Sequence, residues 1–445
     1  MNRTIIQDLW DTIAGRRKTR STDPPRLTAT DLTRLSGDLL SGRGEASGVK
    51  LARELLAAYE LADKAERRSF LRALTHEFGP DEERLERAIE AYQHQKTLAT
   101  MAELSAASEP RRQEVLRRLN HAPGGTAALV RMREDVLAGL AADSDLAALD
   151  SDFGHLFSSW FNRGFLVLRH IDWTTPANIL AKIIRYEAVH TIQSWDDLRN
   201  RLEPPDRRCF AFFHPQMADE PLVFVEVALT TETPAAIAPL LDLNRRVIPA
   251  EAATTAVFYS ISNCQIGLKG VSFGNFLIKQ VVEEMKRDLT GLKTFVTLSP
   301  APGFLAWLRH ELAGSASDFL SVDEVAALAG FSAGIAAGTP GDVETQAQYA
   351  AATAYFLAAK TGGGRPLDPV ARFHLGNGAR LERINLCADL SANGLRQSGG
   401  VMVNYLYDLD AIEANHEAYA NHGRIAASAA VRQRLRTLPP AAARS

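Results

Sequence analysis

The run Val257-Phe258-Tyr259-Ser260-Ile261, then Gln265-Ile266-Gly267-Leu268-Lys269-Gly270-Val271-Ser272-Phe273-Gly274-Asn275, then Phe276 to Arg287, reads as strand, glycine loop and helix in one piece. β-Branched and aromatic residues favour the strand. In the helix, Leu277, Ile278, Val281, Val282 and Met285 form an apolar stripe, while Lys279, Glu283 and Arg287 hold the polar side, as on a helix docked against a sheet. Glycines at 267, 270 and 274 let the backbone turn tightly and approach a ligand closely. Unpaired amides at the start of the helix favour a phosphate or pyrophosphate. The spacing fits neither a P-loop, since no Gly-Lys-Ser/Thr closes it, nor the Gly-x-Gly-x-x-Gly dinucleotide fingerprint. An anion cradle and a plain tight turn both remain open on spacing alone.

Outward from this segment, similar strands are expected at Phe165 to Leu168, Cys209 to Phe213, Leu222 to Leu229, Thr255 to Ile261, Phe295 to Leu298 and Val401 to Tyr407. Helical patterns fall between them at Pro176 to Glu187, Phe276 to Arg287 and Thr345 to Lys360. This alternation predicts an α/β or α+β domain. The first third differs, being rich in Ala, Leu, Arg and Glu at helical spacing, as in Leu51, Leu55, Leu56 and Tyr59, with further helices at Glu82 to Gln95, Arg111 to Leu119 and Thr126 to Leu140. It predicts an all-helical domain used for packing and oligomerisation. Asp143 to Gly154 reads as a solvated connection without EF-hand spacing. The domains are therefore placed at residues 1–154 and 155–445.

The chain has 445 residues, too many for one ordinary core, and is 46% hydrophobic and 23% charged, as expected of a folded globular protein. With 50 Lys+Arg against 53 Asp+Glu, its formal charge of -3 gives no global field toward nucleic acid or an anionic membrane. Cys209, Cys264 and Cys387 are too few and too scattered for a disulfide framework or a zinc motif, and a reducing compartment is expected. Met1 to Arg20 lacks the uninterrupted apolar core of a signal peptide, and Ala252–Leu268 and Val325–Gly341 are too polar or glycine-rich for membrane spans. A cytoplasmic location follows as the expectation.

Two further segments carry possible chemistry. Ser299 stands at the end of the Phe295 to Leu298 strand, in Leu298-Ser299-Pro300-Ala301-Pro302-Gly303-Phe304, where prolines fix the turn and strand ends gather α/β sites. His374 stands beside a glycine turn in Phe373-His374-Leu375-Gly376-Asn377-Gly378, with an imidazole expected to titrate near neutral pH. A structural serine and a structural histidine are the bland readings of both. His190 and His214 lack metal-ligand spacing, so no metal site is expected.

These three segments together resemble the malonyl-CoA decarboxylase family. The likeness extends to Asp219-Glu220-Pro221-Leu222, Arg383-Ile384-Asn385 with Ala388-Asp389, and Asn404-Tyr405, and covers roughly Trp160 to Tyr407. The resemblance implies a helical N-terminal domain that serves oligomer assembly, followed by a catalytic domain with the mixed sheet of the GNAT acyltransferase superfamily. It places the catalytic serine and histidine on Ser299 and His374 and a further site tyrosine on Tyr407. It also assigns Lys269, Gly270, Val271, Ser272, Phe273, Gly274 and Asn275, with Ser299, to coenzyme A. Ser272 departs from animal members, which carry an acidic residue after the Gly-Val pair. Neither a mitochondrial presequence nor a peroxisomal tail is evident, as in a bacterial cytoplasmic member.

The implied reaction converts malonyl-CoA and a proton into acetyl-CoA and CO2, a carboxy-lyase step of fatty-acid metabolism. The thioester carbonyl takes the electrons, so no cofactor is expected. The site must orient the carboxylate, stabilise the enolate and deliver a proton to carbon. His374 is the expected proton source, with Ser299 hydrogen-bonding the carboxylate or thioester. The alternatives are an acyl-CoA-dependent acyltransferase on the same fold and a non-catalytic acyl-CoA sensor. Expected partners are malonyl-CoA, acetyl-CoA and further copies of the chain, as a dimer or tetramer, with no nucleic acid and no membrane.

Overall fold

The computed structural model describes residues 28–41, 44–271, 273, 277–314, 317–329 and 341–435, and the chain divides into two compact units, Met1–Phe153 and Gly154–Ser445. The first unit is helical: Ala29–Leu40, Glu45–Leu61, Lys64–Glu77, Glu82–His94, Leu98–Ala107, Arg111–Asn120 and Gly125–Gly139 follow one another, and Leu146–Trp160 begins in it. Their starts are set by side-chain caps. Thr28 forms a capping box with Asp31, and Asp63 accepts from the amides of Ala65 and Glu66. Leu32, Leu55, Phe70, Leu74, Val115, Leu119, Leu129 and Val136 are all fully buried and form its core.

The helix Leu146–Trp160 corrects the reading of Asp143 to Gly154 as a solvated connection. Asp150 accepts from Arg133 at 2.8 Å, and Asp152 is buried against Arg112 and Gln113. Acidic residues that look solvated in the sequence are inward ion-pair partners here.

Among the described residues, the second unit is built on one eight-stranded mixed sheet with strand order β1-β2-β3-β4-β5-β8-β6, in which β7 also pairs with β8. The strands are β1 Val167–Ile171, β2 Arg207–Phe213, β3 Pro221–Thr230, β4 Thr255–Asn263, β5 Thr294–Thr297, β6 Ser299–Pro300, β7 Arg380–Asn385 and β8 Met402–Leu406. Strands β1 to β4 are antiparallel, whereas β4 and β5 run parallel and are joined through the helix Leu277–Asp288. Alternation sorts the side chains. Phe210, Phe212, Val223, Val225 and Val227 face a core that includes Ile278, Val281 and Met285 of that helix. Cys209, Ala211 and Phe224 face the other side, against Ile179, Leu180, Ile183 and Leu198.

Two irregularities create the space for a site. The β3/β4 register steps from Glu226↔Ser260 to Val227↔Phe258, leaving Tyr259 as the extra residue of a bulge. The β4/β5 pairing ends at Phe258↔Thr297, after which Ser299 pairs with Val403 of β8 instead. The sheet therefore opens between β4 and the Ser299 segment. Among the described residues, no helix is long and apolar enough to cross a membrane.

Candidate active site

Ser299, His374 and Tyr407 meet beside this opening. Ser299 Oγ lies 3.0 Å from His374 Nε2, and His374 Nδ1 lies 2.8 Å from Tyr407 Oη. Ser299 Oγ also donates to Thr297 Oγ1 at 2.9 Å. The result is one hydrogen-bonded chain of four side chains.

Local sequence explains each placement. Ser299 is held by its ladder to Val403, and Pro300 fixes the backbone that follows. His374 sits on the helix Pro369–Gly376, whose N-cap Asp368 accepts from the Ala371 amide at 2.7 Å and from Tyr355 Oη at 3.0 Å. Pro369 suits the first helical turn, where its missing N–H costs nothing. Past the helix, Gly378 has φ +81, and a Cβ there would collide with the Ile412 carbonyl, so only glycine fits. The His374 ring stacks on Tyr405 at a centroid distance of 4.6 Å. Tyr407 follows β8, and its amide donates to Phe295 O at 2.8 Å.

Burial governs the electrostatics. His374 is 2% exposed, and loss of water lowers its pKa to about 3, so the ring is neutral at physiological pH. The expected titration near neutrality is corrected: the sequence shows an imidazole but not the dry shell around it. Burial likewise pushes the Tyr407 hydroxyl well above its usual range. Asp368 rises to about 6, because burial outweighs its hydrogen bonds to Ala371 and Tyr355.

Two cavities adjoin the chain. Ser299 and His374 line one of about 250 Å³, together with Val189, Phe258, Tyr259 and Val370. Lys269, Gly270, Val271 and Phe273 line the other, of about 440 Å³, and Ile261, Asn263 and Phe373 belong to the walls of both. Gly270 has φ +81, which favours glycine at that turn. Ser272, Gly274 and Asn275, which the resemblance assigns to coenzyme A, lie outside the described residues. Among the described residues, no group of three His, Cys, Asp or Glu is placed to hold a metal.

Thr297 escaped the sequence reading. Its one signal is its position two residues before Ser299. Its carbonyl accepts from Asn404 Nδ2 at 2.8 Å, and Asn404 Oδ1 in turn accepts from Arg383 Nε at 3.0 Å and Asn385 Nδ2 at 2.8 Å. Arg383, Asn385 and Asn404, which help carry the resemblance, thus hold the strand end from which Ser299 projects.

The family model described as "Malonyl-CoA decarboxylase C-terminal domain" matches residues 164–444, and "Malonyl-CoA decarboxylase N-terminal domain" matches residues 78–161. The chain belongs to the malonyl-CoA decarboxylase family. The mitochondrial malonyl-CoA decarboxylase of Anser anser anser is 35% identical over 344 residues, covering 72% of this chain and 68% of that protein. That of Rattus norvegicus is 33% identical over 404 residues, covering 83% and 81%. The crystal structure of malonyl-CoA decarboxylase from Rhodopseudomonas palustris superimposes with a TM-score of 0.88 at 61% identity, over 92% of this chain and all 100% of that one. That from Agrobacterium vitis gives 0.87 at 54% identity, again over 92% and 100%. Malonyl-CoA decarboxylases are carboxy-lyases, and in this member the Ser299–His374–Tyr407 chain and both cavities lie within the residues matched by the C-terminal family model.

Proposed function

We propose that the chain decarboxylates malonyl-CoA, releasing CO2 and, after protonation of carbon, acetyl-CoA, and that Ser299, His374 and Tyr407 form its proton-delivery chain. The observation that carries this reading is a neutral, desolvated hydrogen-bonded chain whose serine and histidine face a small cavity, itself sharing walls with a larger one. Malonyl-CoA is bound with its coenzyme A portion along Lys269, Gly270, Val271, Ser272, Phe273, Gly274 and Asn275, and its malonyl group reaches past Phe373 to Ser299.

In the smaller cavity the carboxylate meets mainly apolar walls, Val189, Phe258 and Val370 among them. Removing water from a carboxylate disfavours its charged form, and CO2 departure relieves that cost. The electrons of the breaking carbon–carbon bond pass into the thioester carbonyl. The enolate carbon then takes a proton through Ser299, whose oxygen is within reach of His374 Nε2. Because the ring is neutral, its proton is an N–H proton rather than that of an imidazolium. Tyr407, hydrogen-bonded at Nδ1, steadies the ring and supplies the following proton. No cofactor enters this scheme, since the thioester is the electron sink. Ser299 acts without forming a covalent acyl intermediate.

The larger assembly is a homo-oligomer joined through the helical unit, and the three free cysteines suit a reducing cytoplasm. The test is release of labelled CO2 from carboxyl-labelled malonyl-CoA by the purified full chain, without acceptor or metal. Release with acetyl-CoA in equal amount supports the reading. Turnover only when an amine acceptor is added would make the protein an acyltransferase, and binding without turnover would make it a sensor.

A further inference from the structure

A serine hydroxyl has one proton to give. In this structure it is directed at Thr297 Oγ1, 2.9 Å away. The 3.0 Å contact between Ser299 Oγ and His374 Nε2 must then be filled by a proton from the ring. A neutral imidazole carries a single N–H, so Nε2 holds it and Nδ1 is left bare to accept from Tyr407 O–H at 2.8 Å. Ser299, both ring nitrogens of His374 and the Tyr407 hydroxyl are each satisfied in this arrangement.

The reverse arrangement is the poorer one at its far end. If Ser299 donated to Nε2, Nδ1–H would donate to Tyr407 Oη, and the buried tyrosine proton would need another acceptor. His374 is the only side-chain partner of Tyr407 Oη among the described residues. A buried donor without a partner is disfavoured.

We propose that Thr297 is a positioning residue of this site, which takes the Ser299 proton in the resting protein and thereby fixes His374 as the Nε2–H tautomer. Thr297 is fully buried and lines neither cavity, so it acts through Ser299 and not on the substrate. Its place is secured from two sides. The Tyr405 amide donates to Thr297 Oγ1 at 3.1 Å, while Asn404 holds its carbonyl at 2.8 Å.

The catalytic part of this inference rests on the decarboxylase reading. On that reading, the Ser299 hydroxyl turns from Thr297 to the enolate and its O–H proton goes to carbon. The Nε2–H proton then moves to Ser299 Oγ and the Tyr407 proton to Nδ1; after product leaves, a hydronium proton entering through the cavity is taken up at Ser299 Oγ, the relay runs back, and Nε2–H, a bare Nδ1 and the Tyr407 O–H are restored. The tautomer that Thr297 selects is the one already aimed at the oxygen that must be refilled.

The experiment uses the full chain labelled with ¹⁵N-histidine, with the His374 signals identified by their loss in His374→Gln. Long-range ¹H–¹⁵N spectra without substrate are expected to show Nε2–H in the wild type and Nδ1–H in Thr297→Val. The valine chain should lose on the order of tenfold to a hundredfold in kcat, with KM within about twofold, and Thr297→Ser should restore both tautomer and rate. A wild-type Nδ1–H or imidazolium spectrum at pH 7.5 overturns the proposal, as does a folded Thr297→Val chain with unchanged tautomer and rate. Should the valine chain not fold because Tyr405 N–H loses its acceptor, Thr297→Cys, whose thiol accepts weakly, is judged by the same spectra. Absence of CO2 release from the wild type would remove the decarboxylase reading but leave the tautomer result standing, so the two failures are distinguishable.

Discussion

Two of the buried polar clusters among the described residues of the sheet unit are made of opposite materials. In one, Arg201 donates to Asp197, to Glu226 and to the carbonyls of His190 and Thr191, while Glu187 accepts from Ser260 and from the Val189 and His190 amides. In the other, Thr297, Ser299, His374 and Tyr407 carry no compensating charge at all. The charged cluster ties residues 187–201 to β3 and β4, and none of Glu187, Asp197, Arg201 or Glu226 reaches either cavity. The neutral chain opens into a cavity. Charge is used here to close structure, and neutrality is kept where a proton must move.

The sharpest way to break this comparison is to damage each cluster in turn. Ser299→Ala and His374→Asn should cut CO2 release by about 100-fold or more, with a melting temperature near that of the wild type. Arg201→Met should do the reverse, because it strands Glu226, Asp197 and two carbonyls without their donor. A loss of roughly 3 to 5 kcal/mol is expected, read by denaturant unfolding, with the rate per folded molecule retained. If Arg201→Met abolished turnover in fully folded protein, the division between the clusters would be wrong.

Within the neutral chain the effect should grade with distance from the cavity. Tyr407→Phe keeps the ring packing and removes only the partner of Nδ1, so kcat should fall about tenfold while KM holds. A Tyr407→Phe rate equal to that of His374→Asn would make the tyrosine a principal proton donor. At the other cavity, Lys269→Glu should raise KM for malonyl-CoA several-fold and spare kcat, since it opposes an anionic ligand outside the reacting atoms. An unchanged KM would move the coenzyme A seat away from residues 269–273.

How far these differences were readable in the sequence depends on what each residue's identity discloses. The strand, loop and helix around Gly270 were legible because β-branched residues, glycines and a helical stripe punctuate them locally. Ser299 and His374 stood out by their turns, and the resemblance gave them and Tyr407 their roles. Strand β7 was not legible, because Arg380, Glu382 and Arg383 make it look like polar loop. Nor was the charged cluster, since Glu226 lies inside the apolar run Leu222 to Leu229, and its partner Arg201 is on a separate helix. Thr297 is an ordinary strand residue until folding places its oxygen beside Ser299. Tertiary burial, the cause of the low His374 pKa, has no local signature.

That burial also makes the two clusters respond to pH in opposite directions, which gives the most discriminating test. Burial lowers His374 to about 3, below its unfolded value near 6.5. As pH falls from about 6.5 toward 3, the unfolded chain takes up a proton that the folded chain refuses, so stability contributed by the neutral ring is progressively lost. Glu226 is raised to about 8, chiefly by burial and then by the neighbouring Glu187 carboxylate, against the pull of Arg201. As pH rises from about 4.5 toward 8, the unfolded chain releases a proton that the folded one keeps, and stability falls again. Unfolding free energy measured across pH 4 to 9 should therefore lose part of its acid slope in His374→Gln and part of its alkaline slope in Glu226→Gln, each variant leaving the other limb in place. A His374→Gln chain with an unchanged acid limb would mean that the ring takes up its proton while still folded, and the neutral chain proposed for proton delivery would have to be replaced by an imidazolium.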